Sequence, residues 1–324
     1  MSDPSLDIAS LGGHTMGTSW SVRIATRPGR DLHPLYAGIQ ARLDDVVAQM
    51  STWEPGSDIS RFNQAAAGHA QPLPDAFSCV LQAAVQVASE SDGAFDPTVS
   101  PLVALWGFGA HAGARHVPDD ATLQRVRALC GWQRVAFDAQ QRLLQPGGLQ
   151  LDLSAIAKGF AVDHVSRWLR GIGMAAALVE VGGELHGFGR KPDGSPWRVL
   201  VESSPDEDAG DALPPRVIVL DELAVATSGD RWHRFEIDGH SYSHTLDPRS
   251  GRPVDRSAAA VTVVAASAMQ ADAWATALTV LGVDDGIALA NARGLAARFV
   301  QRTPEGPRES LSAAFSALLD GATP

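Results

Sequence analysis

The sequence predicts an α+β fold, with mixed antiparallel sheets and flanking helices. Three observations predict it. Apolar residues recur at helical spacing through the first half of the chain and again near its end. Between residues 176 and 265 the pattern changes to short strand-like runs broken by Gly, Pro and Asp, as in hairpins. Neither a P-loop nor a GxGxxG fingerprint occurs, so the two best-known nucleotide folds are not indicated.

Taken in order, residues 19–25 alternate and read as a strand, preceded by a small-residue turn at 14–18. Leu35, Ile39, Leu43, Val46, Val47 and Met50 share one face of an amphipathic helix. That helix stops at the Pro-Gly turn of residues 51–56, and SDISRFN at 57–63 follows. Residues 74–91 form a second helix around Phe77, Val80, Leu81, Ala84, Val87 and Ala88. Residues 92–109 are apolar yet carry two prolines and three glycines, which suits neither regular helix nor regular strand. Such a segment wraps a site or caps a core. A helix at 119–129 and strands at 134–137 and 148–153 come next, then a helix from Ser154. Strands follow at 176–181, 184–189, 197–202, 216–220, 235–238, 240–245 and 259–265. Residues 203–215, acidic and Pro-rich, read as an exposed insertion. A helix at 269–281, a short helix after Asp284, a strand at 296–300 and a helix at 310–319 close the chain. The expected organisation is a single domain over 1–324. Its core spans about 14–302, and a tail helix falls within 303–324.

Composition narrows the function. The 324 residues carry a net charge of -11, with 45% hydrophobic and 19% charged residues. The absence of a Lys/Arg cluster argues against a nucleic-acid surface. A nucleotide ligand remains open, because backbone N–H groups, a metal and a few side chains suffice to hold one. Cys79 and Cys130 read as buried free thiols. No run of roughly 18 apolar residues occurs, so no membrane span is expected. The N-terminal segment lacks a basic and an apolar region, so the expected location is cytoplasmic as the sequence stands. A periplasmic, membrane-anchored location is the alternative if a leader precedes it.

The chemistry concentrates in residues 241–281. His244 precedes Asp247 in a turn rich in Pro and Gly, where an imidazole could take a proton from an alcohol. A structural histidine is the competing reading. Asp272 and Thr276 stand one helical turn apart on one face, and both are hard oxygen ligands of the kind Mg²⁺ prefers. Equally, Thr276 could bond back to its own helix. The buried surroundings of Asp272 call for a partner. Lys158 lies near a helix start, where anions are favoured. Gly182-Gly183 reads as a bulge or a close backbone approach, and Thr227-Ser228-Gly229 as a cap or a phosphate-contacting turn.

These segments together resemble the ApbE family of FAD:protein FMN transferases. The resemblance is carried by MGTSWSV, STWEPGSDISRFN, DGAFDPTVSPLVALWGFG, LDLSAIAKGFAVD, VEVGGELHGFG, ATSGD, SHTLDPRSGRPV and ADAWATALTVLG, in that order. It implies a fold related to the T-fold with FAD, the substrate, in a deep cleft. It further implies flavin-nucleotide contacts from Met16, Trp53, Ala94, Phe95, Asp96, Asp152, Lys158 and Leu246. Thr227 and Ser228 join that set through their phosphate-contacting reading. Mg²⁺ would be held by the Ala155 carbonyl, Asp272 and Thr276, and His244 would be the general base. The implied reaction attaches FMN through a phosphoester to a Thr or Ser of an acceptor flavoprotein, releasing AMP. The family's acceptors carry a short Asp-to-Thr motif and belong largely to membrane redox complexes. Two departures stand out: Ala275, where some members place an acid, and Trp232 in place of a nearby tyrosine. A Mg²⁺-dependent FAD pyrophosphatase and a non-catalytic FAD-binding module are the alternatives.

Overall fold

The structure, a computed structural model, describes residues 5–110, 112–113, 115–201, 213–229, 234–237, 239–254 and 260–321. Its centre is one eight-stranded sheet. The strands are β1 (Asp7–Thr15), β2 (Thr18–Thr26), β3 (Ala177–Val181), β4 (Glu184–Phe188), β5 (Leu223–Gly229), β6 (Ala260–Ala265), β7 (Ala296–Thr303) and β8 (Gly306–Leu311). They lie side by side in chain order, every neighbouring pair antiparallel. The β2–β3 connection holds α1 (His33–Met50), α2 (Asp58–Gln64), α3 (Asp75–Glu90), α4 (Ser100–Leu105), α5 (Asp120–Arg127) and α6 (Ala157–Gly171). Helix α7 (Ala268–Arg293) joins β6 to β7, and α8 (Ala313–Gly321) follows β8.

Side-chain alternation along the strands builds two cores. Ala224, Ala226, Val261, Val263, Ala297 and Phe299 face the large core shared with α1, α3, α6 and α7. Val225, Val264 and Ala296 face the other way, onto Trp197, Ile218 and Leu220 of a hairpin and Phe315 of α8. A third, smaller cluster of Leu102, Trp106, Phe108, Leu123 and Leu246 sits apart from both. By length and hydropathy α7 could cross a membrane, but half of that apolar window is buried inside the protein, where α7 packs on the sheet.

Several elements differ from the sequence expectation. Strand β1 is glycine-rich with weak alternation, and β5 is apolar on both faces, so neither announces itself. Residues 227–229 therefore end a strand instead of forming a separate turn. The sheet continues past residue 302 through β8, where only a tail helix was expected. Residues 148–153 are not a strand, because side chains take their backbone groups. Asn63 accepts from the Leu151 N–H at 2.7 Å and donates to the Leu151 carbonyl at 2.9 Å, and Gln145 serves Leu149 in the same way. The expected strand at 134–137 gives way to a 3₁₀ turn at Trp132–Arg134. Helix α4 forms inside the irregular 92–109 segment. Cys79 is exposed on α3, not buried. Cys130 is half-buried, its thiol pKa pushed up to about 12 by burial and the Asp96 charge. Most of the acidic insertion, 202–212, and Trp232 lie outside the described residues.

The contact that positions the site is the crossing of α6 and α7. A Cβ at Gly159 would fall inside the van der Waals shell of the Ala268 carbonyl and 2.8 Å from the Asp272 Cβ. Glycine thus lets the helices touch backbone to backbone. Four residues on, Asp163 caps the α7 N-terminus. Its carboxylate accepts from the Ser267 hydroxyl at 2.7 Å and the Ala268 and Met269 N–H groups at 2.9 and 3.0 Å. A negative group there also meets the positive end of the helix dipole. Gly159→Ala is expected to lower stability by about 3 kcal/mol through overpacking. Urea denaturation checks it, and an unchanged midpoint would show that the crossing can relax.

Candidate active site

A cavity of about 550 Å³ opens at one end of the sheet. There the β1–β2 and β3–β4 turns and the end of β5 meet the first turns of α6 and α7. Its floor is charged. The Lys158 ammonium bonds the Glu184 carboxylate, and Asp272 lies close enough to act on both electrostatically. Glu184 and Asp272 are only 2% and 5% exposed. Glycine builds this floor as well: Gly182, at φ +62°, would place a Cβ 2.9 Å from Thr18 and 3.4 Å from the Lys158 chain. Oε2 of Glu184 is buried with no hydrogen-bond partner among the described residues.

Two carboxylates therefore share one cation. Burial raises the Asp272 pKa, which the Lys158 charge and the Gly159 N–H bond at 3.0 Å partly oppose. Burial raises Glu184 to about 8, with the Asp272 charge adding to it and Lys158 opposing it. For Lys158, burial pulls downward but the two carboxylates outweigh it, and its pKa rises. An uncompensated buried negative charge is costly, and a bound cation relieves it.

The donors fit a hard cation. Asp272 has its Oδ2 on the Gly159 N–H, and Thr276 lies one turn along the same helix face. The Thr276 hydroxyl makes no side-chain hydrogen bond among the described residues. The back-bond to the helix is made instead by Thr279, to the Ala275 carbonyl at 2.8 Å. Ala155 lines the same cavity. These are oxygen donors throughout, the set that suits Mg²⁺ or Ca²⁺. No cluster of three or more His, Cys, Asp or Glu that could hold a metal ion occurs among the described residues.

The walls come from distant segments. Ala94, Phe95 and Asp96 project from the 92–109 arm. That arm is fastened on one side by the Asp152 N–H to the Pro97 carbonyl (2.8 Å). On the other side the Trp106 indole bonds the Gly251 carbonyl (2.8 Å). Burial raises the Asp96 pKa, opposed by its bonds to Thr98 and to the Trp132 N–H. Met16, Asp152, Thr227, Ser228 and the 244–248 loop complete the lining. Met16, at φ +49°, and Gly17, at φ +72°, form the two-residue β1–β2 turn. The Thr227 and Thr262 hydroxyls bond at 2.9 Å, and the His244 ring meets Phe108 edge-on at 6.4 Å.

The structure thus gathers Met16, Ala94, Phe95, Asp96, Asp152, Ala155, Lys158, Thr227, Ser228, His244, Leu246, Asp272 and Thr276 around one cavity. Trp53 is not among its lining residues; it stands 67% exposed in the loop after α1. Asp247 follows His244 in the same turn. Its carboxylate takes the Arg249 backbone N–H and guanidinium at 2.9 and 2.8 Å, which stiffens the turn behind the histidine. Sequence reasoning missed Glu184. Its one signal was an acid directly after Gly-Gly inside an apolar strand, where burial demands a partner.

Fold and site define an α+β protein whose antiparallel sheet ends in a large cavity with a charged floor. The ApbE family model matches residues 16–299, and the chain belongs to the ApbE family. It is 38% identical to an FAD:protein FMN transferase of Vibrio cholerae over 314 residues, 95% of this chain and 92% of that protein. It is 32% identical to the FAD:protein FMN transferase of Escherichia coli K12, covering 97% and 90% of the two chains. The crystal structure of the apo flavinyl transferase ApbE of Pseudomonas stutzeri superposes with a TM-score of 0.89 at 40% identity, covering 98% of each chain.

The raised Glu184 pKa sets a pH dependence in the absence of divalent cation. From the ordinary 4.5 to about 8, the folded state holds a proton that the unfolded state has lost. This stabilising contribution is complete below 4.5 and disappears as pH rises through 8. In EDTA, stability is expected to fall by on the order of a few kcal/mol across that window. Glu184→Gln should flatten the slope in urea titrations. A slope that survives the substitution would assign the proton to another group.

Proposed function

We propose that this chain is a Mg²⁺-dependent FAD:protein FMN transferase, joining FMN through a phosphoester to a Ser or Thr of an acceptor flavoprotein and releasing AMP. The observation that carries the reading is the meeting of Lys158, His244, Asp272 and Thr276 in one cavity of an ApbE-family chain.

FAD, the substrate, would occupy the cavity lined by Met16, Ala94, Phe95, Asp96, Asp152 and Leu246. Lys158 supplies positive charge toward the pyrophosphate from the first turn of α6, where the helix N-terminus favours anions as well. Asp272, Thr276 and the Ala155 carbonyl would hold Mg²⁺, which would supply Lewis-acid neutralisation of pyrophosphate charge. Ala275 adds no oxygen, so this ligand set stays at three protein groups. His244 accepts the proton of the acceptor hydroxyl, and the freed oxygen bonds the FMN-side phosphorus. The bond from that phosphorus to the bridging oxygen breaks, and AMP departs with the electron pair. Phosphoryl chemistry of this kind depends on positioning and charge neutralisation more than on covalent catalysis. Acceptors within membrane redox complexes are consistent with the resemblance.

The test is AMP release from FAD with Mg²⁺, with and without an acceptor bearing the Asp-to-Thr motif, alongside in-gel flavin fluorescence of that acceptor. Acceptor-dependent AMP and a fluorescent acceptor band are expected. Acceptor-independent AMP would make the protein a pyrophosphatase, and no AMP in either case a binding module. Asp272→Ala is expected to cut turnover about 100-fold or more, and His244→Ala by about 100- to 10,000-fold with FAD affinity kept. Full activity in either variant removes the corresponding role.

A further inference from the structure

Among the described residues the outer edge of β1 is unpaired, and it runs to the cavity. The β2–β3 bonds show which backbone groups face it. The Gly182 N–H donates to the Ser19 carbonyl and the Ala25 N–H to the Ala176 carbonyl, both at 3.0 Å. Odd-numbered β2 residues thus serve β3 and even-numbered ones serve β1. Thr15 with Thr18, Gly13 with Trp20 and Leu11 with Val22 are then the hydrogen-bonded pairs. The N–H and C=O groups of Ser10, Gly12 and His14 point away from the sheet. Among the described residues no strand pairs with this edge. The Ile8 N–H is taken by the Asp7 side chain at 2.7 Å, which closes the far end.

Natural sheets blunt such edges with lysine, proline, bulges or a covering element. Residues 8–15 hold no lysine or proline, and their register with β2 is unbroken. Ser10, Gly12 and His14 are exposed and, apart from the imidazole, small. The edge ends at Met16 and Gly17, which line the cavity.

We infer that β1 is the docking edge for the acceptor: an extended acceptor segment pairs with Ser10, Gly12 and His14 and passes its Ser or Thr hydroxyl over the Met16–Gly17 turn into the cavity. The inference rests on the transferase reading. A hydroxyl on a folded surface cannot enter a cavity, whereas an extended segment can. Four strand steps from Ser10 to His14 span about 14 Å, enough to fix its direction and register. Backbone pairing also tolerates varied acceptor sequences, because strand addition draws its affinity from main-chain bonds.

The test uses the full chain and a recombinant acceptor domain carrying the Asp-to-Thr motif. With that threonine replaced by valine to block turnover, hydrogen exchange at the Ser10, Gly12 and His14 amides is expected to slow about tenfold or more. Ser10→Pro removes one outward N–H and spares the β1–β2 ladder. It is expected to raise the acceptor KM about five- to tenfold, the worth of one backbone hydrogen bond, with kcat and FAD affinity unchanged. Ser10→Ala should behave as wild type. An unchanged KM in Ser10→Pro, with transfer intact, overturns the inference alone. So does protection of these amides in the free chain, or protection that grows with the chain's own concentration, since either puts another occupant on the edge. Failure of the wild-type chain to label any acceptor overturns the transferase reading, and this inference with it.

Discussion

Lys158, Glu184 and Asp272 meet on the cavity floor, two carboxylates to one ammonium, and the architecture around the cavity serves to hold them together. Charges this far from water are tolerable only with close partners. Closeness is achieved by bringing α6 and α7 to backbone contact at Gly159, locking them with Asp163, and laying β4 beneath through the Gly182 turn. A bound cation would relieve the crowding of the two carboxylates. Without a cation the same floor retains a proton.

The walls are built differently from the floor. Phe95 of the 92–109 arm packs in the large core, but Trp106 and Leu246 pack in their own small cluster, and the Trp106–Gly251 bond ties the arm to the 244–253 turn. His244 lines this wall, with Phe108 edge-on to its ring.

Much of this was legible in the chain. Helices with a clear apolar stripe, such as α1 and α3, were readable because 3.6-residue periodicity is local. Thirteen of the fourteen site residues named from the sequence line the cavity, because they sit in motifs whose order and composition are distinctive. Trp53 is not among them and stands exposed in the loop after α1. Strands β1, β5 and β8 escaped notice because edge and doubly buried strands lack the polar–apolar alternation that marks a half-buried strand.

The sequence by itself determined the α+β class, the helical stripes and the types of residue available for chemistry, since these rest on composition and on periods of a few residues. Only the tertiary structure decided that Glu184, in a strand read for its glycines, would become the partner of Lys158. It also decided that the 148–153 run would give its backbone bonds to Asn63 and Gln145 instead of a ladder. Both outcomes depend on groups between 4 and 88 residues apart meeting in a dry interior, where every charge and every backbone amide must find a partner. That requirement is satisfied only once the whole chain has closed around them.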